Sequence, residues 1–185
     1  IATMNFEFKV KKIEQSRIAE VDFNHLAFGK TFTDHYFCAD YIDGKWQNMC
    51  ILPLEPMAMH PASSVLHYGQ SIFEGLKAEV NPAGKPLLFR PDKNAERFEI
   101  SANRMALPVV PQELFMKAIT ELIKIDQAWI PQGIEGSSLY IRPFLFGNDP
   151  VLGVKVGDHF KFVVIIGPAG VYYSEPVNVL IQNEY

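Results

Sequence analysis

The chain has 185 residues, 48% hydrophobic and 21% charged, ordinary proportions for a globular domain and too apolar for disorder along most of the length. Seventeen basic against 21 acidic residues leave a net charge of −4. That is the wrong sign for a non-specific nucleic-acid binder, which displaces counterions with a clustered positive field.

No apolar run reaches the ~20 residues of a membrane-spanning helix, and no basic-then-apolar leader opens the chain. The reading is of a cytoplasmic protein. Residues 4–21 mix charged and apolar side chains. Their alternating stretch Asn5-Phe6-Glu7-Phe8-Lys9-Val10 suits a short strand or an ordered arm. Residues 34–42 are rich in strand formers and run into Asp43-Gly44, the pair a tight hairpin turn prefers because both positions need positive φ. The return strand is 45–52. A second hairpin is expected from 73–80 and 86–89 around Asn81-Pro82-Ala83-Gly84.

The period then changes from two to helical. Pro91 suits a first helical turn, where its missing N–H costs nothing. Over 92–105, Ala95, Phe98, Ala102 and Met105 share one face, while Asn94, Arg97, Ser101 and Arg104 fall on another. A second helix, 111–129, puts Phe115, Ala118, Ile119, Leu122 and Ile125 on one stripe, and Pro131 and Gly133 stop it. Strands return at 137–146 and 159–166. Gly167-Pro168-Ala169-Gly170 follows, then a final strand is expected around 177–181. Hairpins, two helices, then strands predict an α+β fold: a mostly antiparallel sheet with two main helices packed on one face.

Glycine-rich phosphate cradles of the GxGxxG and GxxxxGK[ST] types are absent. Ser71 lacks the closing glycine of a nucleophile elbow. His25, His35, His60, His67 and His159 have no zinc-ligand spacing and read as surface or structural histidines, so no metal site is expected. Cys38 and Cys50 lie in no CxxC or Cys/His pattern and read as free thiols. What remains is arginine, tyrosine and backbone, a set that binds anions and shapes pockets without supplying a nucleophile.

Six segments read together narrow this. They are Phe28-Gly-Lys-Thr-Phe-Thr-Asp-His35, His60-Pro-Ala-Ser-Ser64 with Leu66-His-Tyr-Gly-Gln70, Ile72-Phe-Glu-Gly-Leu-Lys-Ala78, Phe89-Arg-Pro-Asp-Lys-Asn-Ala-Glu-Arg97, Ser138-Leu-Tyr-Ile-Arg-Pro143 and Gly167-Pro-Ala-Gly-Val-Tyr172. In that order they resemble the branched-chain amino acid aminotransferases of pyridoxal-phosphate fold type IV, from about Ala27 onward. The third segment is shared with relatives such as D-amino acid aminotransferase and aminodeoxychorismate lyase; the first, second and fifth are more specific.

The resemblance implies a small N-terminal aminotransferase domain over 1–175, with 176–185 a linker and the start of a large domain. It implies pyridoxal 5′-phosphate as cofactor, with Arg97 on its phosphate, where a guanidinium's forked N–H geometry fits. Taken singly, such an arginine would read as a solvated helix residue. Phe28, Tyr68, Tyr140 and Tyr172 are implied to line the substrate side-chain pocket, Arg142 to border it, and Val154 to reach a partner subunit's pocket in a homodimer. Without the resemblance these aromatics would read as core. The substrates implied are leucine, isoleucine or valine with 2-oxoglutarate and glutamate. No catalytic residue is expected within the chain, because the family's Schiff-base lysine matches a position beyond Tyr185. These 185 residues alone are therefore expected to be inactive. The alternatives are a sibling enzyme acting on D-amino acids or aminodeoxychorismate, and a non-catalytic binding module.

Overall fold

A computed structural model describes residues 6–173 and 175–182. Asp43 and Gly44 both take left-handed φ, 52° and 75°, and close the hairpin between β2 (His35–Ile42) and β3 (Lys45–Pro53). The two strands pair antiparallel, from Ile42 opposite Lys45 to His35 opposite Pro53, with a register shift between Cys38 and Asp40. The alternating N-terminal stretch contributes a two-residue strand, β1 (Lys9–Val10), parallel to β3; Met4 and Asn5 lie outside the described residues.

The second expected hairpin is more broken than its sequence suggests. It comprises β4 (Ser71–Phe73), β5 (Leu76–Val80) and β6 (Pro86–Leu88). Both β4 and β5 pair with the same side of β7 (Ser138–Gly147), and Glu74-Gly75 separates them. The break falls opposite Pro143. Its carbonyl accepts the Glu74 N–H at 2.9 Å, but proline has no N–H to return, so the ladder is interrupted there. On its other side β7 pairs along its whole length with β8 (Phe160–Ala169). The sheet runs β1-β3-β2-β8-β7-β5-β6, with β4 beside β7. Among the described residues only the β1–β3 pairing is parallel.

Three α-helices accompany the sheet among the described residues. α1 (Ser64–Tyr68) is a single short turn inside a stretch with no helical period. α2 (Pro91–Arg104) begins at the expected proline. α3 (Gln112–Ile125) stops before the expected end at 129; Asp126 is its C-cap, with its carboxylate 2.6 Å from His35 Nδ1, and a 3-10 turn, Gln127–Trp129, follows. Ala95, Phe98 and Ala102 of α2 and Leu114, Phe115, Ala118, Ile119 and Leu122 of α3 pack on one sheet face. Phe162 is the hub there, its ring 5.6–6.2 Å from those of Phe37, Trp46, Phe98 and Phe115.

The opposite face carries Tyr36, Cys38, Phe144, Phe146, Val163 and Ile165, and Met57, Met59 and Val65 pack against it. It stays partly open, and strand alternation decides which side chains it receives. β8 runs past the expected end at 166 to Ala169. The expected strand at 177–181 does not form. β8 already has β2 and β7 on its two edges, and Val179, Leu180 and Ile181 are left exposed. No helix is long and apolar enough to cross a membrane among the described residues.

Candidate functional site

In β7, Leu139, Ile141 and Leu145 face the helices, which by alternation sends Tyr140, Arg142 and Phe144 to the open face. The segment leading into β2 then closes over the end of β8. Thr33 N–H donates to the Ile166 carbonyl at 3.0 Å, and a Cβ on Gly167 would lie 2.1 Å from the Thr31 carbonyl oxygen. Only glycine permits that approach, and it brings Phe28 against Tyr140.

The Phe28 ring meets those of Tyr140 and Tyr172 edge-on, each at 4.8 Å between centroids. Arg142 donates from Nη2 to the Tyr140 hydroxyl at 2.9 Å, and its guanidinium lies 4.2 Å from the Phe73 ring centroid. Phe28, Phe32, Tyr140, Arg142, Ile165 and Gly167 line a cavity of about 260 Å³. Among the described residues no carboxylate pairs with Arg142. A half-buried cation held by neutral and aromatic partners at the rim of an apolar cavity suits a ligand with an apolar body and an anionic group.

Arg97 lies on α2, on the helical side of the sheet break. Its Nε and Nη2 donate to the two carboxylate oxygens of Glu74 at 2.6 and 2.8 Å, and Asn94 donates to the same carboxylate at 2.7 Å. Burial pushes the Glu74 carboxyl upward, but the hydrogen bonds from Arg97 and Asn94 outweigh it and hold the group below the usual range. The hydrogen bond and charge of Glu74 in turn raise Arg97 above its ordinary value. The inner edge of the guanidinium is thus occupied, while the side chain stays 67% exposed. The Nη1–Nη2 edge remains, and it offers two parallel N–H donors to a phosphate. Gly75 couples this pair to the cavity: a Cβ there would strike the Tyr140 hydroxyl at 2.5 Å.

Tyr68 and Val154 stand apart from that cluster. The Tyr68 hydroxyl accepts the Gly153 N–H at 2.8 Å, and both Tyr68 and Val154 line a second cavity of about 340 Å³ with Gln70, Asp149 and Lys155. Val154 is 96% exposed. Of the seven residues singled out in the sequence, Phe28, Tyr140, Arg142 and Tyr172 therefore meet, Arg97 adjoins them through Glu74-Gly75, and Tyr68 and Val154 form a separate surface. Two participants escaped the sequence reading. Phe73 alternates with buried Ile72 in β4, and that alternation would have placed it on the open face. Glu74, a carboxylate inside an apolar strand run, carries the usual signal of a buried partner.

The segment Thr33-Asp34-His35 is buried throughout. Asp34 accepts hydrogen bonds from Ser16 Oγ, the Arg17 amide at 2.9 Å and Trp129 Nε1 at 3.0 Å. Burial pushes its carboxyl up, yet these donors bring it below the ordinary value. His35 Nε2 accepts the Ile13 N–H at 2.9 Å, so its proton sits on Nδ1, which faces Asp126 at 2.6 Å. These contacts fix the strap that carries Phe28.

No protein-family model matches the chain. It is similar to branched-chain-amino-acid aminotransferase 2 of Bacillus subtilis, 44% identical over 168 residues, covering 89% of this chain and 46% of that protein. It is also similar to the branched-chain-amino-acid aminotransferase of Mycolicibacterium smegmatis, 41% identical over 162 residues, 85% of this chain and 44% of the relative. Among solved structures, the T.th. branched-chain amino acid aminotransferase with pyridoxamine 5′-phosphate superposes with a TM-score of 0.52 at 29% identity, covering 74% of this chain and 41% of that one. The chain spans about half the length of the curated relatives it matches.

Proposed function

The chain belongs to the branched-chain-amino-acid aminotransferase family, and from that premise we propose that it forms the small domain of a cytoplasmic, pyridoxal-phosphate-dependent transaminase. The reaction is reversible transfer of the amino group of leucine, isoleucine or valine to 2-oxoglutarate. The observation that carries this reading is the convergence of Phe28, Tyr140 and Arg142, which has no carboxylate partner among the described residues, on one cavity, with Tyr172 edge-on against the Phe28 ring. Burying a branched aliphatic side chain against such walls contributes ~1.5–3 kcal/mol without any polar contact. Arg142 is placed to take a carboxylate of the substrate, with Tyr140 fixing the guanidinium plane.

The residues present fit the cofactor. When bound, pyridoxal phosphate supplies the electron sink that makes the α-proton of an amino acid removable. In this chain Arg97 holds the phosphate on its outer edge, and Glu74, anchored by Asn94, keeps that edge turned outward. Phe28 and Tyr172 exclude water from the apolar side. Tyr68 and Val154, gathered on a different surface, serve a second subunit's pocket in a homodimer. In this reading residues 1–175 are the small domain and 176–185 a linker and the start of the large domain, which the exposed Val179, Leu180 and Ile181 support.

Residues 1–185 alone are expected not to turn over, because none of them matches the family's cofactor-linked lysine. The test is leucine-to-2-oxoglutarate transamination by the full-length gene product, with this chain assayed beside it. Activity in the long form only is expected. Silence in both, with verified folding and added cofactor, overturns the substrate assignment and favours a sibling enzyme or a binding module. Turnover by residues 1–185 overturns the predicted inactivity.

A further inference from the structure

Cys38 and Cys50 sit on the open face of the sheet, directly opposite each other in the β2–β3 register. Both are free thiols, and their sulfurs are 3.2 Å apart. Opposed residues of an antiparallel pair have Cα atoms ~4.5–5.5 Å apart, inside the range a disulfide spans. Closing the remaining distance therefore needs only small side-chain rotations and leaves the strands where they are.

The surroundings of the two sulfurs differ. Cys38 is buried, beneath the Tyr36 hydroxyl. Cys50 is half-buried and nearer to solvent. Lys9 of β1 is its register partner on the other side, and Lys161 of β8, paired with Asp40 of β2, adds a second positive charge close to the thiols. The Cys38 S–H bond to Cys50 holds the Cys50 thiol down at about 7, with Lys161 and Lys9 acting in the same direction against burial and Asp40. The same hydrogen bond, with burial, pushes Cys38 up. One sulfur is thus set as attacker and the other as its reserve.

We propose that Cys50 and Cys38 form a peroxide-sensitive dithiol, with Cys50 as the attacking sulfur and Cys38 as the resolving one. The Cys50 thiolate attacks one oxygen of a hydroperoxide. The O–O bond breaks, the alkoxide or hydroxide leaves and takes up a proton, and Cys50 becomes a sulfenic acid. The Cys38 sulfur then gives up its proton and attacks the Cys50 sulfur. The S–O bond breaks, water leaves, and an intrachain disulfide joins β2 to β3. Two electrons pass from two thiols to one peroxide, and a small-molecule dithiol returns them by exchange.

The experiment is stoichiometric hydrogen peroxide on the folded chain at neutral pH, followed by alkylation under denaturing conditions and mass spectrometry. The unmodified sequence needs no variant: it should lose about 2 Da and both alkylatable thiols, and regain them with dithiothreitol. C38S should stop at a Cys50 sulfenic acid that dimedone traps. C50S should react about tenfold more slowly, because its remaining thiol is mostly protonated. Should a variant fail to fold, the unmodified chain still decides the matter. Two thiols left alkylatable, a Cys50 sulfinic acid with Cys38 untouched, or a disulfide only between two chains would each overturn the proposal.

Discussion

Asp34 offers the sharpest test of how the strap over β8 is held. The residue is 3% exposed, and its carboxylate receives the Arg17 amide, the Ser16 hydroxyl and the Trp129 indole N–H. The Arg17 guanidinium is a weaker partner, at 3.4 Å and with a side chain 39% exposed, so water screens most of its attraction. D34A would leave the buried Trp129 indole N–H and the half-buried Arg17 amide without acceptors. Hydrogen bonds to a charged group contribute ~1.5–3 kcal/mol each, less when they share one acceptor, so a loss of about 3–5 kcal/mol is expected. D34N keeps the shape but turns an NH2 toward one pair of donors whichever way it flips. Ser16 can rotate to accept, whereas the Arg17 amide and the Trp129 indole cannot, and about 2 kcal/mol should be lost.

Urea unfolding followed by tryptophan fluorescence reads both variants, because Trp129 sits on the contact. With a slope of about 2 kcal/mol per M, the midpoint should fall by roughly 2 M for D34A and roughly 1 M for D34N. The folded pKa of Asp34 lies below the ordinary value of 3.8. Its stabilisation is therefore full above that value and fades as pH falls through the lowered one. The gap between the parent and D34N should stay constant near neutrality and narrow below about pH 4. A D34N midpoint within about 0.3 M of the parent, or a gap that widens in acid, would refute the hub.

Two glycines give further tests. G167A drives a Cβ into the Thr31 backbone carbonyl. Because the Thr33–Ile166 hydrogen bond holds that backbone, a loss of about 3 kcal/mol is expected in thermal unfolding; an unchanged Tm would mean the strap is loose. G75A meets a side-chain hydroxyl instead. It should cost about 1–3 kcal/mol and weaken the near-ultraviolet circular dichroism of the Tyr140 cluster, with far-ultraviolet signal kept. A native near-ultraviolet spectrum would argue against the coupling between Glu74-Gly75 and the cavity.

Much of the fold was legible where local rules decide it. Asp43-Gly44 fixed the first hairpin because the turn's φ values admit few residues, and Pro91 marked the start of α2 because its ring fits only a first turn. The strand at 177–181 was misread because β-forming residues need a partner strand alongside them, and no local pattern says whether the fold brings one there. The interruption opposite Pro143 was hidden for the same reason: a missing N–H acts on the neighbouring strand, about 70 residues away in sequence. At the proposed site, Arg97, Tyr140 and Arg142 were singled out through motif resemblance. The physical causes of those motifs, Glu74 beneath Arg97 and Thr31 against Gly167, lie across the sheet, where spacing along the chain carries no signal. Tyr68 and Tyr140 read alike in sequence, and only the topology assigns them to different surfaces.

The proline in β7 bears on how the molecule yields under local opening. Beyond that residue β4 hangs from β7 by three residue pairs, and before it β5 hangs by three more, whereas β8 grips the same strand through ten. Two short ladders detach more readily than one long one, and α2 is tied to their junction through Glu74. Amide protons of β4, β5 and the second turn of α2 should therefore exchange as one unit, well ahead of those in β7 and β8. In the transaminase reading, the arginine that holds phosphate would ride on the yielding part and the arginine that takes the carboxylate on the unyielding one, so the distance between the two anion holders has built-in give.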